Sequence, residues 1–132
     1  MLSPCYCTRL RAAGRRIAAI YDAALEPLGI NVAQFALLRM IERRQKVSLT
    51  ELGRVAELDR STMGRNVRVL ERLGLAAAGR GEDQRESVVT LTAAGAELLI
   101  RAAPLWEACQ RTVEARLGPE RIEALDELLQ AV

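Results

Sequence analysis

Residues 48–74 constrain the fold of this chain more than any other stretch. Ser48, Leu49, Thr50 and Glu51 form the pattern of a capping box, in which a serine hydroxyl and a glutamate three residues on satisfy free amides at a helix start. A short helix is expected from Leu49 to near Leu58, burying Leu52, Val55 and Ala56. Asp59 can accept hydrogen bonds from the free amides of a second helix over 60–73, stopped at Gly74, with Met63, Val67 and Leu70 inward. After Gly74 the pattern turns from helical to extended. Residues 75–79 and Ser87–Leu91 are strand-compatible runs, separated by the polar turn Arg80, Gly81, Glu82, Asp83, Gln84, Arg85, and a two-stranded hairpin is expected there.

A short capped helix, a tight turn, a second helix with a basic outer face and a basic-tipped hairpin is the order of a winged helix-turn-helix. With Val67 at the centre of the buried face, a rotation of about 100° per residue puts Ser61, Thr62, Arg65, Arg68 and Arg72 on the outward side, with Val69 beside them. Hydroxyls and arginines are the chemistry of a major-groove reader, because arginine donates two parallel hydrogen bonds to guanine and hydroxyls bond bases or phosphates. Arg65 is favoured for base contact, against the alternative of ordinary solvated arginines. Ser61 and Thr62, in the first turn, suit phosphate positioning equally well, since free amides and the helix dipole attract anions there. Arg80 and Arg85 flank the hairpin tip, where an arginine can enter the narrow minor groove. Asp83 opposes phosphate and is better read as pairing with an arginine and shaping the wing.

The rest of the chain reads as a scaffold for this unit. Leu10, Ala13, Ile17, Ile20, Tyr21, Ala24, Leu25 and Leu28 draw one stripe down a first helix that Gly29 stops, and a second helix follows over about 32–43 with Phe35, Leu38 and Ile41 inward. Thr92 caps a long helix over about 93–117 carrying Leu98, Ala102, Leu105, Cys109 and Val113 on one side, with Pro104 expected to bend it or loosen one turn. Gly118 and Pro119 separate a last helix with Ile122, Leu125, Leu128 and Leu129. The fold class is therefore mainly α with a small β-hairpin. Residues 1–132 form one winged-helix domain, with a DNA-binding lobe at about 31–92, recognition helix 60–73, wing 75–91, and dimerisation helices at about 8–30 and 93–132. The terminal helices carry more apolar stripe than a monomer this size readily hides, so a homodimer is expected. Pairing would set two recognition helices about one DNA turn apart on a pseudo-palindromic operator.

Composition narrows the function. Aromatics are only 3% of the chain, so the core is aliphatic, as suits helices. The net charge of +2 is uneven: residues 1–80 hold 14 Lys/Arg against 7 Asp/Glu, and residues 81–132 hold 5 against 10, which points to an anionic partner for the first part. The chain has no histidine, which removes imidazole metal sites and histidine acid/base chemistry. No nucleophile sits with a base and no glycine loop suits phosphate chemistry, so an enzyme, a cofactor and a metal are not expected. No apolar run spans a bilayer, and three cysteines beside an aliphatic core fit a reducing cytoplasm.

Taken together, 58–62 (Leu-Asp-Arg-Ser-Thr) leading into 70–75 (Leu-Glu-Arg-Leu-Gly-Leu), and 83–85 (Asp-Gln-Arg) followed by 89–92 (Val-Thr-Leu-Thr), resemble the MarR (multiple-antibiotic-resistance regulator) family over about residues 10–129. The resemblance implies a homodimer with interlocking first and last helices, a recognition helix at 60–73 and a wing arginine at Arg85 held by Asp83. Two departures stand out: Gly64 where relatives often carry a hydroxyl, and Ala76, Ala77 and Ala78 where many carry basic residues. The resemblance also implies a small, often aromatic or anionic effector between the dimer helices and the DNA-binding lobe, for which Arg16 and Tyr21 are candidate lining residues. A thiol switch is a second candidate: Cys5 and Cys7 precede the first helix, Cys109 lies on the stripe of the long helix, and interlocked termini bring an N-terminal cysteine towards Cys109 of the partner subunit. The alternatives are that Cys109 is a small buried hydrophobe and that Cys5 and Cys7 belong to a flexible end. The expected function is a sequence-specific DNA-binding regulator, a repressor released by an effector or by thiol oxidation. The alternative is a winged-helix protein-interaction module without sequence-specific DNA binding.

Overall fold

The computed structural model describes residues 2–81 and 85–132. Helix α1 (Tyr6–Leu25) passes into a 3-10 turn (Glu26–Leu28) and ends at Gly29, which takes a left-handed φ of 74° and donates its N–H to the Glu26 carbonyl. The single helix expected to reach Leu28 therefore tightens over its last turn, where Pro27 has no N–H to continue the α-helical ladder. Helix α2 (Val32–Arg44) starts with a reciprocal capping box that the sequence reading missed: Asn31 Oδ1 accepts the Gln34 N–H at 2.8 Å and Gln34 Oε1 accepts the Asn31 N–H at 2.9 Å. The box expected at Ser48 is only half made. Ser48 Oγ accepts the Glu51 N–H at 3.0 Å and starts α3 (Leu49–Ala56), but the Glu51 carboxylate turns instead to Arg54.

Strand β1 (Val47–Ser48), β2 (Ala76–Arg80) and β3 (Ser87–Leu91) form an antiparallel sheet in the order β1-β3-β2, so the expected two-stranded hairpin is three-stranded. Val47 pairs with Val89, and Ala76 to Arg80 pair in register with Leu91 to Ser87. A two-residue strand behind the polar run 43–46 has no periodicity of its own; the pairing with Val89, which is fully buried, defines it. Helix α4 (Arg60–Arg72), helix α5 (Ala93–Leu117) and helix α6 (Pro119–Ala131) complete the chain, and α5 runs as one helix through Pro104.

Leu25, Leu38, Ile41, Leu52, Met63, Leu70 and Val89 are fully buried and knit α1–α4 and β3 into one core. That core extends along α5 through Leu98, Leu99 and Ala102, while Leu105 is only half-buried. Between α2 and α5 the Arg39 guanidinium lies 5.6 Å from the Phe35 ring centroid and 5.0 Å from that of Trp106, a double cation–π contact linking the helix-turn-helix lobe to the long helix. The ends of the chain are packed less completely: Tyr6 and Leu10 of α1 and Leu125, Leu128 and Leu129 of α6 are exposed. No described helix is long and apolar enough to cross a membrane.

Candidate nucleic-acid interface

Helix α3 ends at Ala56, short of the expected Leu58, because Glu57 swings to a left-handed φ of 56° and the Leu58 N–H returns to the Gly53 carbonyl at 2.9 Å. Gly53 permits this turn, since a Cβ there would stand 2.9 Å from the Leu58 carbonyl oxygen. Asp59 then caps α4 as its sequence position implies: Oδ1 accepts the Thr62 N–H at 2.7 Å and Oδ2 accepts the Thr62 hydroxyl at 2.9 Å. These two bonds from Thr62 hold the Asp59 carboxyl below its ordinary pKa, with a smaller contribution from the Arg65 charge. Gly74, at a φ of 76°, ends the segment, and the Leu75 N–H reaches back to the Leu70 carbonyl at 2.9 Å.

Met63, Val67 and Leu70 root α4 in the core, and Ser61, Arg65, Arg68 and Arg72 are exposed on its other side. Thr62 is half-buried, as is Val69, which the helical rotation had placed outward. Arg65 folds back along the helix, donating from Nη1 to Ser61 Oγ at 3.4 Å and from Nη2 to Thr62 Oγ1 at 3.2 Å. Asp59, Thr62 and Arg65 thus form a short chain in which the Thr62 hydroxyl donates to one and accepts from the other. This bears on the roles foreseen for the first turn: the Thr62 amide and hydroxyl are both engaged by Asp59, so their availability to phosphate is reduced. A base contact by Arg65 would require it to exchange its two bonds to hydroxyls for bonds to a base edge. Gly64, expected as a departure on the contact face, is buried, and a Cβ there would meet Leu49 Cδ2 at 3.7 Å and Arg68 Nη1 at 3.6 Å, so it belongs to the packing against α3.

Arg80 ends β2 and Arg85 precedes β3, both exposed and each engaged in an interaction within the protein. Asp83, foreseen as the residue that shapes the wing, lies outside the described residues. Arg60, in the first turn of α4, lines one cleft with Ala78, Gly79, Arg80, Arg85 and Ser87. Sequence reasoning had not singled out Arg60, because its closeness to the wing is a non-local fact.

The candidate switch residues divide. Tyr21 is half-buried and its hydroxyl donates to Gln110 Oε1 across α1 and α5; burial, and then the neighbouring Cys109 and Glu114, raise its pKa above the ordinary value. It lines an open groove of about 720 Å³ with Leu10, Ile17, Val113, Leu125 and Leu128. Arg16 is exposed and is not one of the residues lining that groove, a correction that follows from its place on another side of α1. Cys5 is the N-cap of α1, its Sγ accepting the Thr8 N–H at 3.5 Å, and Cys7 lies in the first turn, both exposed. Hydrogen bonds from Thr8 lower the Cys5 thiol pKa, whereas burial raises that of Cys109. Cys109 lies beside Tyr21, and Cys5 is sixteen residues back along α1, about 24 Å at the helical rise, so the two are not brought together within one chain.

Comparison with known proteins agrees with this geometry. A profile of the MarR family matches residues 28–86, the span from the end of α1 to the wing. The HTH-type transcriptional repressor Rv2887 of Mycobacterium tuberculosis is 36% identical over 104 residues, covering 77% of this chain and 75% of that protein. The chain belongs to the MarR family. Among solved structures, the M. tuberculosis transcriptional regulator MOSR (Rv1049), in complex with DNA, is 35% identical, with a TM-score of 0.85 over 97% of this chain and 96% of that one. BpsR of Bordetella bronchiseptica, whose DNA binding is regulated by 6-hydroxynicotinic acid, is 25% identical, with a TM-score of 0.84 over 99% and 94%. The MarR fold thus extends through both terminal helices, well beyond the matched profile.

Proposed function

We propose that this MarR-family chain is a DNA-binding transcriptional regulator that works as a homodimer and represses its targets. The observation that carries the reading is α4 itself: anchored by the buried Met63, Val67 and Leu70, it turns Ser61, Arg65, Arg68 and Arg72 to solvent on one face. In this reading α4 lies in the major groove, Arg65 reads a base, Arg68 and Arg72 position the helix on phosphates, and Arg80 and Arg85 carry the wing to the minor groove. Repression is inferred from Rv2887, named a transcriptional repressor, and DNA as partner from MOSR, solved in complex with DNA.

Dimerisation is supported by the exposed Tyr6, Leu10, Leu125, Leu128 and Leu129, which a second copy would cover. A small effector is supported by BpsR, and the Tyr21 hydroxyl and Gln110 are the polar groups that could orient it where a second copy closes over the groove. The depressed thiol pKa of Cys5 favours its oxidation over that of Cys109. The deciding experiment is selection of duplexes from a random-sequence library by the wild-type protein, followed by anisotropy titration with Arg65→Ala. Loss of discrimination between selected and scrambled duplexes is expected; failure of the wild type to enrich any sequence would sink the reading.

A further inference from the structure

The cleft between the start of α4 and the wing has a volume of about 390 Å³ and is lined by Arg60, Ala78, Gly79, Arg80, Arg85 and Ser87. Among the described residues that line it, three are arginines and none is a carboxylate, and Arg80 and Arg85 are each also engaged in an interaction within the protein. Along β2 the floor is Ala78 and Gly79, and a Cβ built at Gly79 would meet nothing within 4 Å, so no side chain there holds a ligand away from the backbone. The position of the cleft matters as much as its charge. A winged helix that puts α4 in the major groove and its wing in the neighbouring minor groove must straddle the sugar-phosphate strand dividing them. Residues between the two elements therefore face phosphate oxygens.

The amide end of α4 is a weaker anion site than its position suggests. Asp59 accepts the Thr62 N–H and its own carbonyl accepts that of Met63, so two amides of the first turn already have partners. The Asp59 carboxylate also opposes an anion, although both its oxygens bond to Thr62. Positive charge for a phosphate must come chiefly from guanidinium groups, whose planar fork matches phosphate oxygens.

We propose that Arg60, facing Arg80 and Arg85 across this cleft, grips the phosphodiester strand between the two grooves. Arg60 is then an anchor that binds every sequence alike, whereas Arg65 distinguishes them. The assignment rests on the regulator reading above and adds to it a residue and a role.

The test uses the full chain and a duplex enriched by the wild type from a random library, with a scrambled duplex as comparator. Arg60→Ala should weaken binding to both about tenfold, lower the slope of log affinity against log salt by about 1 for each α4 engaged, and leave the ratio between duplexes unchanged. Arg60→Lys, which keeps the charge, should restore the slope. Arg60 is exposed, so the variants should melt like the wild type. Replacing single phosphates by neutral methylphosphonates should reveal a position at which Arg60→Ala costs nothing further. An unchanged salt slope in Arg60→Ala, a collapsed ratio between duplexes, or the lack of any such phosphate would overturn the assignment. Failure of the wild type itself to bind with salt dependence would overturn the regulator reading and this one together, a result seen before any variant is made.

Discussion

Replacing Gly95 with alanine adds one carbon to the first turn of α5, in a place already occupied. A Cβ there would stand 2.1 Å from the Leu75 carbonyl oxygen, 3.0 Å from its carbon and 3.4 Å from its Cα. Comfortable carbon–oxygen approaches begin near about 3.3 Å, so relief requires α5 and the start of the wing to part by about 1 Å. All the atoms met are backbone, and no side chain can swing aside. The same junction holds three hydrogen bonds: Thr92 N–H to the Leu75 carbonyl at 3.2 Å, Thr92 hydroxyl to the Gly74 carbonyl at 2.6 Å, and Gly95 N–H to Thr92 Oγ1 at 3.0 Å. At about 1 kcal/mol each, disrupting them costs about 3 kcal/mol, against a gain of up to about 1 kcal/mol from alanine's helix propensity. A net loss of about 2 kcal/mol is expected as a lower bound, before any disturbance of Leu98 and Leu99. Gly64→Ala is the control: its neighbours stand at 3.6 and 3.7 Å, ordinary contact, so propensity should prevail and stability rise by up to about 1 kcal/mol. Urea denaturation followed by circular dichroism, at one protein concentration, reads both. Equal midpoints for wild type and Gly95→Ala, or a loss in Gly64→Ala as large as in Gly95→Ala, would refute the reasoning.

Glu57 and Gln45 hold φ values of 56° and 62°, and the Lys46 N–H closes on the Arg44 carbonyl at 2.7 Å around Gln45, a γ-turn of the strained hand. Glu57→Gly and Gln45→Gly should each raise the unfolding free energy by about 0.5–1 kcal/mol, read as a higher urea midpoint at unchanged slope. Asp59 has its folded pKa below the ordinary carboxylate value of about 3.9, so its contribution is complete above that pH and is lost as pH falls through the lower folded value. Asp59→Asn should show a shallower acid decline than the wild type, and an NMR titration should find the Asp59 midpoint below 3.9, the reference value of about that size for free aspartate. Iodoacetamide at neutral pH should alkylate Cys5 well before Cys109, since one thiol is depressed by Thr8 and the other raised by burial; mass spectrometry of the digest would show the order.

What the sequence determined was written within a few residues of where it acts. Ser48, Asp59 and Thr92 each accept an N–H from three residues ahead, so each helix start was legible from a tripeptide step. Met63, Val67 and Leu70 face inward while Ser61, Arg65, Arg68 and Arg72 face outward, because helical rotation alone sorts them once one face is buried. Tertiary structure decided the rest. Strand β1 exists because Val47 meets Val89; Gly64 and Gly95 are the same residue in helices, yet one tolerates a methyl group and the other strikes a carbonyl; Tyr21 turns to Gln110 while Arg16 faces solvent. Arg60 reads locally as one more arginine, and only the fold sets it against the wing. Caps and helical faces are properties of residues three or four apart, whereas clefts and close backbone approaches belong to segments that meet only when the chain is folded.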